Sequence, residues 1–581
     1  MPRGVRRYFI LKQNAPDITR RDQRATVRYR TIGPCSAKRD NCPVTTPSSL
    51  SPLPPHAPST SIWSTMRHRS FRGLWGAGAV YFIGNAMQTM AAAWMMVELT
   101  GSSFLAALVQ TAVFLPMFLL SLPAGVLADI TDRRRLIQAA LVVQAITGAL
   151  LAILLLTGVG GAATVLFFIF VAGSCTALLS PAWNSSIADS VPRDELPLAI
   201  TTVSIAYNAA RAVGPALAGV VFSALGGAWN FALAVLSTLA MWWSIKRWPP
   251  RPHPPSRLPA ERLWGGMLSA LRFAWHSQTV LAQLVRTVAY SGAGSALWAL
   301  LPVIGAKQLN LGAAGYGLLM GCLGTGAVLV GLVIGRLRLR FGLEAIVGTG
   351  CVVFATVMVI AAFSHWAPLV YLALVCGGAA WMAVMSTFNT ATQTSVPPWV
   401  RARALAMHTL CALGSFALGS AFWGALSDIF GLDFALCVAA AAMGGGLLLA
   451  RPFPLRMGEK MEITQATQWE ELFIKDEPAP EAGPVAVEMA YLVRPEESAE
   501  FLEAVSHLRA PRRRDGATFW RIYRDLANPS RFVERFIVTS WADYLHQRAR
   551  ATLADQELET RVRSYLQPGV SVTMQHYLAE R

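Results

Sequence analysis

Twelve apolar stretches recur between Leu74 and Ala450, near 74–97, 104–128, 136–157, 161–181, 198–224, 229–245, 280–304, 314–335, 344–363, 367–388, 402–427 and 433–450. About 20 apolar residues in a row are enough to cross a bilayer. Backbone groups cannot go unpaired in hydrocarbon, so each stretch predicts a helix. Within three of them the polar residues fall at helical i, i+3, i+4 spacing. The first holds Tyr81, Asn85, Gln88 and Thr89; the fifth holds Ser204, Tyr207, Asn208, Arg211, Gly214 and Pro215; the tenth holds Ser386, Asn389, Thr390 and Gln393. Facing lipid would leave their amides unpaired, so these stripes are expected to line a central cavity. After Ala450 the pattern changes. Alternation in Val533–Val538 and Val570–Tyr577 suits half-buried strands. The order read there is strand 485–493, helix 495–508, strand 517–526, strand 532–540, helix 541–565 and strand 571–579.

The gaps between the apolar stretches alternate in charge. One set carries Arg133–Arg135, Arg193, the bases from Lys246 to Arg262, Arg336, Arg338, Arg340, Arg401 and Arg403; the opposite set contains only Lys307. Basic loops stay on the cytoplasmic side. The first set is therefore expected in the cytoplasm, and an even number of crossings puts both termini there too. The longest gap, 246–279, divides the stretches into six and six. The two groups share sequence at a fixed offset: Asn184, Ser190-Val191-Pro192, Gly214 and Gly219 correspond to Asn389, Ser395-Val396-Pro397, Gly419 and Gly424. A doubled six-helix unit with its site between the halves is a known way to build a transporter.

Composition agrees. Of 581 residues, 54% are apolar and 14% charged, against about 25% charged in soluble domains. The net charge of +17 is uneven, with 13 Lys/Arg against 3 Asp/Glu over 1–70, 21 against 10 over 71–456, and 16 against 20 over 457–581. The bases sit in short gaps between apolar runs, so no nucleic-acid partner is expected. The eight cysteines are scattered singly. Cys175, Cys322, Cys351, Cys376, Cys411 and Cys437 lie in apolar runs and read as packing residues; Cys35 and Cys42 lie in the N-terminal tail. Neither a metal nor a cofactor is expected, and no ATP-binding loop is present to drive a primary pump.

Between the second and third stretches stands Gly125-Val126-Leu127-Ala128-Asp129-Ile130-Thr131-Asp132-Arg133-Arg134. It resembles the major facilitator superfamily signature G-x-L-A-D-[RK]-x-G-[RK]-[RK], departing from it at Ile130 and Asp132. Gly125 and Ala128 permit close helix approach, while Asp129, Arg133 and Arg134 would form the cytoplasmic gate. Arg211-Ala-Val-Gly214-Pro215-Ala-Leu-Ala218-Gly219 resembles the antiporter motif of that superfamily, with alanine at 210 and 218 where two glycines are usual. Phe71-Arg72-Gly73-Leu74-Trp75, Gly84-Asn85-Ala86-Met87-Gln88, Trp94 and Leu99-Thr100-Gly101-Ser102 are similar to the drug:proton antiporter subgroup, in its transmembrane secretion effector branch. That branch is related to enterobactin exporters. Similarity extends to the C-terminal region, at Arg512–Ala517, Trp520, Glu534, Ser540-Trp541, His546-Gln547-Arg548 and His576.

The fold expected is thus an all-α membrane protein of twelve transmembrane helices in two six-helix halves, with a C-terminal α+β ferredoxin-like soluble domain resembling small monooxygenase domains. The divisions are a basic, Pro/Ser-rich, disordered tail at 1–65, halves at 66–245 and 280–456 around the 246–279 loop, a linker at 457–483 and the soluble domain at 484–581. Met66 is an alternative start. The resemblance implies a secondary exporter of small amphipathic molecules, drugs or siderophores in the bacterial inner membrane, working by alternating access. The proton gradient is the expected driving force, and the soluble domain could support self-association. The pathway residues expected are Asn85, Gln88, Tyr207, Asn208, Arg211, Asn389 and Gln393, and the gating residues Gly125, Asp129, Arg133, Arg134, Gly214, Pro215 and Gly219. A sensor or scaffold signalling through the soluble tail and an uptake permease are the alternatives. The tail's His507, His546 and His576 offer no metal spacing and no nucleophile motif. Arg512–Arg514 are expected in a solvated turn or near anionic headgroups.

Overall fold

The computed structural model describes residues 62–580 except 193, 248–270, 398, 467–473 and 475. Most of the expected N-terminal tail, with Cys35 and Cys42, and most of the 246–279 loop lie outside the described residues. Within the expected tail, Ile62–Arg67 forms a 3-10 turn.

Ten described helices are long and apolar enough to cross a membrane. In the first half, α1 spans Arg69–Thr100, α2 Ser103–Ile130, α3 Arg133–Leu156, α4 Ala162–Ser190, α5 Leu196–Leu225 and α6 Gly227–Arg247. In the second half, α7 spans Gln278–Val303, α8 Ala313–Phe363, α9 Ala367–Thr394, α10 Arg401–Phe430 and α11 Leu432–Gly445. Of these, α1 is long at 32 residues, with an apolar character diluted by its own polar stripe. The 51-residue α8 is broken at Gly342, where φ is 74°. Only glycine adopts such a backbone cheaply, so the chain turns there.

The sequence repeat is also a structural repeat. Helices that begin at Ala162, Leu196 and Gly227 have counterparts beginning at Ala367, Arg401 and Leu432, each 205 residues on. The turn glycines Gly226 (φ 92°) and Gly431 (φ 95°) stand at the same offset.

Among the described residues, the glycines show close approach of the halves at one end. An added Cβ at Gly219 would lie 2.6 Å from the Ala313 carbonyl oxygen and 2.9 Å from Ala314 Cα. At the equivalent Gly424 it would strike Ala107, and lie 3.1 Å from Phe104 Cα. Two seams, α5 on α8 and α10 on α2, therefore close the same end, and glycine is what lets the backbones meet. Toward the other end of these helices, a Cβ at Gly125, Gly331 or Gly335 would meet no atom within 4 Å. The halves part there.

The tail is a four-stranded antiparallel sheet in the order β2-β3-β1-β4, with β1 Val485–Leu492, β2 Phe519–Arg524, β3 Arg531–Val538 and β4 Thr573–Leu578. Val485, Val487, Met489 and Tyr491 alternate inward along β1 and pack with Phe501, Phe532, Phe536 and Trp541. The helix expected over 541–565 is two: Trp541–Arg550, capped by Ser540, and Leu553–Arg563, started by a Thr552/Asp555 capping box.

Candidate functional site: the interface between the halves

Arg211 lies where the halves meet. Its guanidinium carbon is 5.9 Å from the Tyr207 ring centroid, one turn back on α5, and 5.0 Å from that of Trp298 on α7 of the opposite half. Tyr207 is 46% exposed, whereas Trp298 is buried. Phe82 of α1 sets the Tyr207 ring edge-on at 5.3 Å. A guanidinium between two aromatic faces gains about 0.5–2 kcal/mol and keeps its N–H donors for a ligand. Among the described residues no carboxylate pairs with it. A permanent, uncompensated cation between the halves suits an anionic or electron-rich guest.

Other predicted pathway residues are placed as follows. Gln88 is buried on α1 and finds no hydrogen-bond partner among the described residues. Asn85 and Asn208 are partly buried; Asn208 Nδ2 donates to the Ser204 carbonyl at 2.8 Å. On α9, Gln393 Nε2 donates to Asn389 Oδ1 at 2.6 Å, which ties up one amide on the other. Ser386 and Thr390, from the same stripe, are engaged by Arg338: its Nη2 donates to Ser386 Oγ at 2.6 Å, Nη1 to Thr390 Oγ1 at 2.8 Å and Nε to Thr387 Oγ1 at 3.1 Å. Arg338, read in the sequence as a loop base, continues α8 and lies against α9.

The expected gating residues fall into three groups. Pro215 and Gly219 belong to the closed seam, where a Cβ at Gly317 of α8 would lie 2.5 Å from the Pro215 carbonyl oxygen. Gly214 instead packs inside the first half, where a Cβ would lie 2.7 Å from Ala86 Cβ and 3.1 Å from the Ile83 carbonyl oxygen of α1. At the open end, Arg133 Nη1 donates to Asp189 Oδ2 at 3.1 Å and Arg134 Nη2 to the Lys246 carbonyl at 2.5 Å. Both ties stay inside the first half. The Asp129 side chain lies outside the described residues.

Sequence reasoning missed most of the closed end. Beyond Arg211, Trp94 stacks on Tyr316 at 5.6 Å across the halves. Asp428 Oδ2 accepts from Ser102 Oγ at 2.6 Å and Oδ1 from the Ser103 backbone at 2.7 Å. Ser223, its counterpart 205 residues earlier, accepts from the Ala314 backbone at 3.2 Å. The spacing of Gly317, Gly321 and Gly324 on α8 carried a readable signal, since small residues one turn apart mark a helix contact. Also missed was the ion pair between Arg286, which is buried in α7, and Glu344, at 2.6 and 2.7 Å. Glu344 further accepts from the Leu455 backbone at 2.6 Å, fastening the chain just beyond α11.

The tail corrects one expectation outright. Arg512 and Arg514 are not in a solvated turn. Arg512 pairs with Glu534 at 3.2 Å and Glu559 at 2.9 Å; Arg514 pairs with Asp515 at 2.9 Å and Asp555 at 2.5 Å. The short helix Arg509–Asp515 turns those two bases inward because buried carboxylates await them. His507, His546 and His576 do not converge on one centre. His576 Nε2 lies 2.6 Å from Tyr544 Oη, and burial lowers the imidazole and raises the phenol, so both stay neutral at pH 7.

A family model described as "Transmembrane secretion effector" matches residues 60–581. The chain belongs to that family. As a transmembrane secretion effector, within the major facilitator superfamily, it is a multi-pass membrane transporter rather than an enzyme, and the match runs through the tail. The multidrug efflux pump Tap of Mycobacterium tuberculosis is 26% identical over 394 residues, 64% of this chain and 91% of Tap. The enterobactin exporter EntS of Salmonella typhimurium is 27% identical over 404 residues, 66% of this chain and 90% of EntS. Among solved structures, the nucleoside transporter NupG superposes with a TM-score of 0.53 at 15% identity, over 66% of this chain and 100% of NupG. The D-xylose-proton symporter gives 0.54 at 13% identity, over 67% and 98%. These two likenesses establish the fold.

Proposed function

We propose that this secretion effector exports small amphipathic molecules, of the drug or siderophore class, across the bacterial inner membrane. The observation that carries the reading is Arg211 held by Tyr207 and Trp298 at the meeting of the halves, two turns from the close seam at Gly219. The efflux activity named for Tap and EntS supports the direction. The basic gaps lie at the open end, so by the positive-inside rule that end and both termini are cytoplasmic. On this reading the conformation is inward-open, ready to load substrate from inside.

Twelve crossings follow when α1 is counted and α8 is taken as two spans on either side of Gly342. The tail is best read as ferredoxin-like, from its β-α-β-β-α-β order and its β2-β3-β1-β4 sheet. Proton antiport is the coupling that the family resemblance favours. Arg211 stays charged at physiological pH and is not the proton carrier; it is the substrate's electrostatic anchor.

Arg211→Lys keeps the charge but loses the planar fork and part of the stacking. Efflux of an anionic ligand from cells producing this variant should fall on the order of tenfold further than efflux of a neutral one, the worth of one charge-assisted hydrogen bond. Parallel loss for both ligands at normal protein levels would make Arg211 a packing residue. Undiminished export of both by Arg211→Ala would remove it from the pathway.

A further inference from the structure

The tail rests on the second half alone in the contacts described. Arg550 stacks over Trp399 at 4.5 Å, Arg514 lies 5.8 Å from the Phe273 ring, and Arg272 Nη1 donates to the Gly516 carbonyl at 3.2 Å. Beside this junction is a cleft of about 370 Å³ lined by His276, Ser506, His507, Arg509, Ala510 and Arg513. No carboxylate is among its described lining residues. Arg512 and Arg514, the neighbours of Arg513, are neutralised by their own acids, whereas Arg509 and Arg513 have no acidic partner among the described residues. Arg513 Nε is shut off from solvent with no hydrogen bond at all. Arg513 lines the cleft and makes no hydrogen bond to an acceptor among the described residues, so an acceptor entering the cleft would meet unengaged guanidinium N–H groups. His276 donates Nδ1–H to the Arg272 carbonyl at 2.8 Å, which leaves Nε2 as an acceptor for a hydroxyl in the cleft.

We infer that this cleft binds a phosphate group, held by Arg509 and Arg513 from the tail, with His276 from the membrane half accepting from a hydroxyl of the polyol attached to it. The volume suits a phosphate with a small polyol attached, at the lower end of ligand pockets. The surroundings favour a lipid headgroup as its source. Trp275, 71% exposed, and Leu271, 52% exposed, flank His276 just before α7, and Leu502, 43% exposed, lies one turn from Ser506. Exposed Trp and Leu beside cations are the composition of a membrane-interface anchor. A headgroup bound between His276 and the two arginines would join tail to transporter through contacts that neither part supplies, making the docked state dependent on anionic lipid. This goes beyond the export reading and does not depend on it.

The test uses the full chain purified in a neutral detergent, with dioleoyl phosphatidylglycerol and dioleoyl phosphatidylcholine as probes and retained lipid counted by native mass spectrometry. Phosphatidylglycerol should be retained preferentially. Arg509→Gln with Arg513→Gln should weaken that retention by at least about tenfold, each arginine contributing a charge-assisted contact. Arg521→Gln, on the sheet away from the cleft, should leave it unchanged. Displacement of the lipid by millimolar glycerol phosphate would support the same phosphate chemistry with a soluble source; failure to displace it would support the lipid. Equal retention by the double variant and the wild type, both eluting as folded monodisperse protein, would overturn the proposal. So would retention of phosphatidylcholine equal to that of phosphatidylglycerol.

Discussion

A Gly219→Leu protein will fold and insert, yet its transport will fall at least about tenfold. The position has no room for a side chain, because the Ala313 carbonyl and Ala314 Cα already stand against the glycine hydrogens. Both neighbours are backbone atoms and cannot swing aside as a flexible side chain would. Forcing extra methylenes into such a contact costs about 1–3 kcal/mol, and every 1.4 kcal/mol is tenfold in a conformational equilibrium. The cost falls only on the state in which the α5–α8 seam is shut. On the proposed orientation the population therefore moves toward the outward-open form, and the cycle stalls for want of its inward-open partner. A cysteine placed at Ser102, beside the Asp428 latch, reports on this directly. Its labelling by an impermeant maleimide added outside intact cells should rise when Gly219 becomes leucine. Unchanged labelling together with unchanged transport would show that the seam does not gate. Labelling only after the membrane is breached would reverse the orientation.

Loss of Glu534 will unfold the tail while sparing the membrane helices. Its carboxylate is wholly buried and accepts from Tyr491 Oη at 2.7 Å, Trp520 Nε1 at 2.9 Å and Arg512 Nε at 3.2 Å. Burial beside this carboxylate drives the Tyr491 phenol well above its ordinary range. Arg512 also rests on the Phe536 ring at 5.1 Å. In Glu534→Ala three donors lose their acceptor together, and Arg512 retains only Glu559. Removing one partner of a buried ion pair costs about 3–5 kcal/mol, a large share of the roughly 5–15 kcal/mol that holds a domain of this size. Trypsin should cut the tail from the full-length variant at temperatures where the wild-type tail resists, with the membrane portion left intact. Glu534→Gln, which keeps an acceptor but not the charge, should fall between. Equal protease resistance in all three would mean that the network is incidental to the fold.

The sequence was most informative where one physical constraint acts alone. Apolar length, loop charge and the 205-residue offset each follow from the bilayer or from the repeat, and they located the helices and the seams' glycines. Arg211 stood out because a cation in an apolar stretch is expensive. Its partner Trp298 did not, since an indole in an apolar run looks like any packing residue until the opposing helix is placed. Arg338 illustrates the opposite failure. At the end of a span beside Arg336 and Arg340 it reads as a loop base, yet three hydroxyls on α9 draw it against the bundle. In the tail, Arg512–Arg514 form one charge run in sequence, but helical rotation sends two of them to buried acids and one to the cleft. Which base goes where depends on Glu534, Asp515 and Asp555, and two of those three are distant in the chain. Glu344 was hidden for a similar reason: its partner Arg286 lies 58 residues away, on another span.

Export by alternating access is tested most directly by transport in a closed vesicle. Purified protein would be reconstituted with its cytoplasmic face outward and a fluorescent amphipathic anion supplied outside, with and without an imposed pH gradient. Accumulation inside is expected when the lumen is acid, lost on collapse of the gradient and lowered at least about tenfold by Gly219→Leu. No accumulation under any gradient, from protein that remains monodisperse and folded, would contradict it and leave a transporter fold that does not transport.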